Sequence, residues 1–300
     1  MPERFVERQA EAAELAPVLG ATTDRRVNSD NARGLMITVL GEFVRPNGGS
    51  AWTQTLIEAM ELVGVQDKAT RQVLARLADR GWLDRSKAGR RTHWHLTASS
   101  RALLETGADR IYGFGRSEQR WDGRWLVVLA SLPDREASQR YRLTTGLAWA
   151  GFGSLGQGTW ISPWVEHERQ CAAVLTDLDV AGATTFRSEI GALGHGDELA
   201  ARAWDLAELR SHYDTFLGTV EQIERANAPR GAEAVAGLIN LVHAWRRFPF
   251  LDPELPSELL PHDWPAPYAV ARFEQLRSAL LDAATTWWRD SDARYASTVA

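Results

Sequence analysis

Three hundred residues are long for one compact core, so two or three domains are expected. Hydrophobic residues at 44% and charged residues at 24% give a globular rather than a disordered composition. No stretch nears eighteen uninterrupted apolar residues, which excludes a bilayer-spanning helix and a membrane partner. The net charge of −5 argues against a nucleic-acid binder only until it is divided. Between Asp67 and Arg101 nine Lys and Arg face three Asp, a local +6 that leaves −11 for the remainder. Phosphate affinity follows the local distribution rather than the total.

In chain order, residues 1–30 read as a short helix and a polar tether. They lack an apolar signal-peptide core, and this extension has no assigned role. A buried helix is expected from Ala32 to Val44, stopped by the turn Pro46-Asn47-Gly48-Gly49. Thr53 is a candidate cap for a second helix through Val63, with Leu56, Ile57, Met60 and Val63 on one face. Gly64 ends it, and Asp67 is the candidate cap of a third helix. There Ala69, Val73, Leu74 and Leu77 form the inward stripe, while Lys68, Arg71, Gln72, Ala75 and Arg76 fall on other faces. After Gly81 two short strands, 82–85 and 91–96, flank the basic turn Ser86-Lys87-Ala88-Gly89-Arg90.

Three helices followed by a basic hairpin make a winged helix-turn-helix, expected over 31–115. The third helix suits a major groove, where Arg and Gln read guanine and adenine edges, and the hairpin suits phosphates. Lys68, Thr70, Arg71, Gln72 and Arg76 on the helix, with Lys87, Arg90 and Arg91 on the hairpin, are the candidate DNA contacts. The competing interpretation is a solvated basic surface on a winged protein-interaction or signalling module that does not bind DNA.

After a linker at 116–120, the apolar run 125–129 reads as a strand and Arg135 to Ala150 as a helix ended by Gly151-Phe152-Gly153. Short strands are expected at 159–161 and 172–175. The order suggests a small α+β sandwich of ferredoxin-like type over 116–196. The region 197–300 turns helical, with helices at about 198–223, 232–247 and 268–289. The segment 248–267, holding six prolines, is expected to be an extended loop. The fold class is thus α+β and multidomain.

Several of these segments resemble one family, the PaaX transcriptional regulators, named for repressors of bacterial phenylacetate catabolism. The resemblance rests on Leu35 to Pro46 with Gly48-Gly49, on Ala69 to Leu77 with Gly81-Trp82-Leu83, and on Gly89-Arg90-Arg91 with Leu96-Thr97. It continues through Trp121-Asp122-Gly123-Arg124-Trp125, Gly151-Phe152-Gly153, and Phe250 to Pro256 with Leu259-Leu260-Pro261 and Asp263-Trp264-Pro265. What it implies is a central ferredoxin-like domain like that of the CRISPR-associated protein Cas2, and a homodimer on double-stranded operator DNA. It also implies release by an aryl-CoA or related acyl-CoA thioester, phenylacetyl-CoA in the founding case. The departures are His93-Trp94-His95, where the family more often has aromatics and a basic residue, and the N-terminal extension.

Other candidate sites carry less. Trp245, Arg246 and Arg247, beside Phe248, are the candidate ligand residues: an aromatic wall next to cations for an aryl thioester and its phosphates. The glycine-rich segment 191–197 lacks phosphate-loop spacing and reads as a turn. The scattered histidines, His93 and His95 included, form no metal site, and no cofactor is implied. No catalytic motif is present, so no enzyme is expected. A Cas2-like nuclease would need an acid at a strand end, whereas Asp134 falls at a helix start. The lone Cys171, among apolar neighbours, fits a buried thiol in a reducing, cytoplasmic compartment.

Overall fold

In the computed structural model the described residues are 25–116, 120–130, 137–180, 182–226 and 230–297. Most of the N-terminal extension, the middle of the 116–120 linker and Asp134 lie outside them. The described chain packs as two compact units. A head unit comprises 25–114, 215–247 and 268–297; a sheet unit comprises 115–214 and 248–267. Residues 197–214 and 248–267 of the C-terminal region pack in the sheet unit, and 215–247 and 268–297 in the head unit.

The head unit begins with helix α1 (Arg25–Val39), whose Leu35, Met36, Ile37 and Val39 are buried. Its last turn widens at Leu40–Val44, where Arg45 N–H reaches back to Leu40 O at 2.8 Å. Strand β1 (Ser50–Trp52), helix α2 (Thr53–Glu61) and helix α3 (Asp67–Asp79) follow. The hairpin is β2 (Leu83–Ala88) and β3 (Arg91–Leu96). β1 pairs with β3, giving the antiparallel order β1-β3-β2. Helix α4 (Ala98–Gly113) is capped by Thr97, whose Oγ1 accepts from Ser100 N–H at 3.2 Å.

Neither expected cap serves as one. Trp52 and Gln66 occupy the cap positions, and Thr53 and Asp67 are the first helical residues. The Thr53 hydroxyl is used by the sheet instead: it accepts from Trp94 Nε1 and donates to Thr92 O, both at 2.9 Å. Gly49 is favoured as glycine chiefly by its backbone, and the Arg101 side chain would have to move for any other residue. Its φ of +77° favours no side chain, and a Cβ there would lie 1.8 Å from the Arg101 guanidinium.

Two later helices complete the head: the C-terminal part of α8 (Leu206–Arg225) and α9 (Ala232–Trp245), with most of the long α11 (Ala266–Ala296). α9 is apolar nearly all round, with Val235, Leu238, Ile239, Leu241, Val242 and Trp245 buried, and so runs through the core. The last helix is longer than the expected 268–289, because its final turns are held by side chains of α2 and the hairpin.

The sheet unit runs β4 (Trp125–Leu129), α5 (Ala137–Trp149), β5 (Gly153–Gly156), β6 (Thr159–Ser162), α6 (Glu168–Asp177) and β7 (Thr184–Ser188). The sheet is antiparallel, ordered β5-β6-β4-β7, and this β-α-β-β-α-β path is the ferredoxin-like one. The segment expected as a strand at 172–175 is part of α6: Cys171, Val174 and Leu175 are buried at helical spacing. One sheet face packs on α5 and α6 through Leu126, Val128, Trp160, Leu143, Leu147 and Val174. The other, with Trp125 and Ile161, is covered by α7 (Gly196–Ala203) and the turn Ser257–Leu259. Gly153 permits this closeness, since a Cβ there would meet the Trp204 ring at 2.6 Å. The proline-rich segment is not wholly extended: Phe248–Leu251 forms a helical turn, α10. Asp252 beyond it accepts from the buried Tyr213 hydroxyl and from Glu254 N–H.

Candidate nucleic-acid interface

Helix α3 buries Thr70, Val73, Leu74 and Leu77, spaced i, i+3, i+4, i+7, and leaves the opposite side to solvent. Lys68, Arg71, Gln72, Ala75 and Arg76 are exposed there. Thr70 is a correction: it is fully buried, with no partner for its Oγ1 among the described residues, and cannot touch DNA from that position. Asp67, Lys68, Arg71, Gln72 and Ala75 line a shallow concavity of about 530 Å³. Within it Arg71 Nε donates to Asp67 Oδ1 at 2.5 Å, and a second nitrogen reaches Oδ2 at 3.3 Å. Both partners are about half exposed, so the pair is worth well under 1 kcal/mol and yields readily to a stronger anion.

The hairpin register sorts its basic residues. Leu83 pairs with Leu96, Arg85 with Trp94 and Lys87 with Thr92, so Arg85 and Lys87 share the side that carries the buried Trp94 and Leu96. Ala88 pairs with Arg91, leaving the two-residue turn Gly89-Arg90, with Gly89 at φ +60°. The turn is tighter than the expected 86–90. Arg85, Lys87 and Arg90 are exposed. Arg85 was missed in the sequence, although strand alternation places it with Lys87.

Arg91 stands on the opposite side with His93 and His95. Its guanidinium donates to the Tyr295 carbonyl at 2.6 Å and lies 5.4 Å from the Tyr295 ring centroid. That arginine is engaged within the protein. His93 stacks on Trp52 at 4.4 Å, and burial, reinforced by His95, lowers its pKa. His95 Nε2 lies 2.8 Å from Ser86 Oγ.

The candidate ligand residues divide. Trp245 is 1% exposed, ringed by Phe273 (4.6 Å), Phe216 (5.0 Å) and Phe114 (5.7 Å), with Nε1 donating to Ile111 O. It anchors the core and cannot wall a ligand, which corrects its assignment. Arg246 and Arg247 differ: their Nε atoms are cut off from solvent and have no hydrogen-bond partner among the described residues. Burial, followed by the charges of Arg247 and Arg33, pushes Arg246 down to about 10. Burial, followed by the charges of Arg246 and Arg247 just past the end of α9, holds nearby His243 down at about 3, so it is neutral at physiological pH. Its Nδ1 lies 3.4 Å from Thr38 Oγ1 on α1. His243 also lines a groove of about 610 Å³ between α8 and α9, with Thr219, Gln222, Ile223 and Asn240.

Among the described residues no cluster of three or more His, Cys, Asp or Glu could hold a metal ion. No described helix is long and apolar enough to cross a membrane. Cys171 is buried, and burial pushes its thiol up to about 11, away from thiolate chemistry.

The fold defines a multidomain α+β protein with a Cas2-like middle and a helical C-terminal region. Three family models match in chain order: PaaX-like protein over 31–100, PaaX protein central Cas2-like domain over 118–200, and PaaX-like protein C-terminal domain over 204–290. Among curated proteins, the transcriptional repressor PaaX of Escherichia coli K12 is 31% identical over 243 residues, covering 77% of this chain and 74% of its own. Among solved structures, the uncharacterized protein Rv0674 of Mycobacterium tuberculosis superposes with a TM-score of 0.56 at 21% identity. That match covers 83% of this chain and 96% of the other, a likeness of fold. The chain belongs to the PaaX family of transcriptional regulators, which sets it among regulators and not enzymes.

Proposed function

We propose that this protein is a DNA-binding transcriptional repressor of aromatic-compound catabolism, working in the cytoplasm as a homodimer. Residues 31–115 form its winged helix-turn-helix, 116–196 its central domain and 197–300 its C-terminal domain. Helix α3 reads the major groove through Arg71, Gln72 and Arg76, with Lys68 beside them, while Lys87, Arg90 and the added Arg85 hold phosphates along the wing. The observation that carries this is the segregation on α3, where Lys68, Arg71, Gln72 and Arg76 are exposed while Val73, Leu74 and Leu77, with Thr70, are buried. Kinship with a transcriptional repressor supports it.

The finer part of the proposal is release from the operator by an aryl-CoA or related acyl-CoA thioester. Its anionic end is assigned to Arg246 and Arg247, whose Nε atoms, buried and without a hydrogen-bond partner among the described residues, suit a phosphoryl group. A gel shift on the protein's own upstream intergenic DNA, repeated across a salt series and a panel of CoA thioesters, tests both parts. A steep fall of affinity with salt, and release by one thioester but not by its free acid, is the expected outcome. No shift on any upstream duplex at low salt would overturn the DNA-binding reading.

A further inference from the structure

The last three turns of α11 are tied to the head unit at successive points. Trp288 stacks on Phe43 at 5.1 Å, and Arg289 Nε donates to Asn47 Oδ1 at 2.9 Å. Asp292 Oδ1 accepts from Trp52 N–H (3.0 Å) and Thr55 Oγ1 (2.9 Å) at the start of α2. Glu58 of α2 then collects Ser291 Oγ at 2.6 Å, Arg294 at 3.1 Å and the Tyr295 hydroxyl. The helix end is therefore fixed to α2, and from that fixed end Tyr295 offers its carbonyl and ring to Arg91 of the wing.

The base of the hairpin is held by β1, which pairs with β3 up to His93, and by Thr53, which donates to Thr92 O, but the tip beyond them is not. Its tip is a two-residue turn, and beyond the Arg85–Trp94 pair its core-side residues are the exposed Lys87 and the half-buried Thr92. A two-stranded hairpin extending past its core is marginal alone. Its far side has one charged anchor near the tip, and that anchor is Arg91 on Tyr295.

We propose that Arg91 is a positioning residue rather than a phosphate contact, and that the last turn of α11, through Tyr295, is the strut that fixes the wing for DNA. The proposal rests on the DNA-binding reading for its consequence, but not for its geometry. It gives the C-terminal region a direct mechanical hold on the wing. Any ligand or partner that shifts the end of α11 alters operator affinity without touching DNA.

The test uses the full chain, Arg91→Ala, a chain ended after Arg294, their combination, and Lys87→Ala as the phosphate-contact standard. Arg91→Ala should weaken operator binding about tenfold, the scale of one charge-assisted hydrogen bond, while leaving the slope of log K against log salt unchanged. Lys87→Ala should lower that slope by about one. The truncation should match Arg91→Ala, and the combination should add nothing further. In the free protein, amide exchange of 84–95 should quicken equally in the truncated chain and in Arg91→Ala. A slope reduced in Arg91→Ala as in Lys87→Ala, or additive losses in the combination, would overturn the strut. If wild type binds no duplex, the DNA reading fails separately, and the exchange result alone decides the strut: unchanged exchange overturns it.

Discussion

Two arginine pairs, Arg90-Arg91 and Arg246-Arg247, look alike in the sequence and meet opposite surroundings. The first caps a two-residue turn, where Arg90 is bathed by water and Arg91 folds back onto Tyr295. The second ends an apolar helix, with Nε atoms shut away from solvent and burial pushing Arg246 down to about 10. In water a cation costs little and is held loosely, so it can meet a polyanion and release counterions. In the interior the same cation is held at a standing desolvation cost that a matching anion would offset. The comparison teaches that charge density marks a binding surface only where the side chains are wet, and that a dry cation is the better candidate for a small ligand.

The largest effect tests the frame common to both pairs. Trp245→Ala removes a fully buried indole stacked on Phe273 and should destabilise the protein by about 3–5 kcal/mol, measured by urea unfolding. A loss below about 1 kcal/mol would mean the ring is not a core anchor and would reopen its assignment as a ligand wall. On the wet side, Arg71→Ala should cost about 1–3 kcal/mol of operator affinity and relax preference at one base pair, measured across a set of operator variants. Uniform weakening across all variants would recast Arg71 as a phosphate contact.

A buried charge of the other sign sharpens the contrast. Asp252 in the sheet unit is pushed up to about 6 by burial, against hydrogen bonds from Tyr213 and Glu254 N–H that act downward. An acid whose folded pKa is raised favours folding while protonated. That contribution is present below its unfolded value near 3.8 and is lost as pH rises through about 6. Asp252→Asn should therefore gain on wild type between pH 4 and pH 7 by on the order of 2 kcal/mol, read as the change in the stability difference. A difference constant across that range would show the carboxylate to be ionised throughout.

How much of this was legible depends on whether the deciding neighbour is near in sequence. The stripe Val73, Leu74, Leu77 revealed α3, and the same stripe holds Thr70 at the preceding turn. Its hydroxyl suggested a surface contact, although its spacing placed it inside. Strand alternation was enough to separate Lys87 from Arg91 and to add Arg85, but only once the turn was known to be two residues long. The run 172–175 was too short to tell helix from strand by apolarity, and Cys171 with Val174 decides it. β7, largely polar and exposed, has no pattern of its own and is ordered by pairing with β4. One of the charges that act on buried Arg246, Arg33, lies more than two hundred residues away on α1, and the strut from Tyr295 to Arg91 spans a similar distance. No local window holds either.

The smallest expected effect is the most discriminating. Arg246→Met replaces a buried cation, crowded by Arg247 and Arg33, with an apolar side chain of similar length. An ordinary structural ion pair broken this way costs about 3–5 kcal/mol, because its partner is left buried and unpaired. Among the described residues Arg246 has no hydrogen-bonded carboxylate to strand, and its removal relieves repulsion from its neighbours. Urea unfolding should then change by less than about 1 kcal/mol, or rise slightly. Salt-dependent operator binding should stay at the wild-type level, while release by the active thioester should be lost. A large stability loss would show Arg246 to be an internal structural charge, and full thioester response in a stable variant would move the effector elsewhere. Either result would dissolve the contrast between wet and dry arginines, leaving the two pairs different in surroundings but not in role.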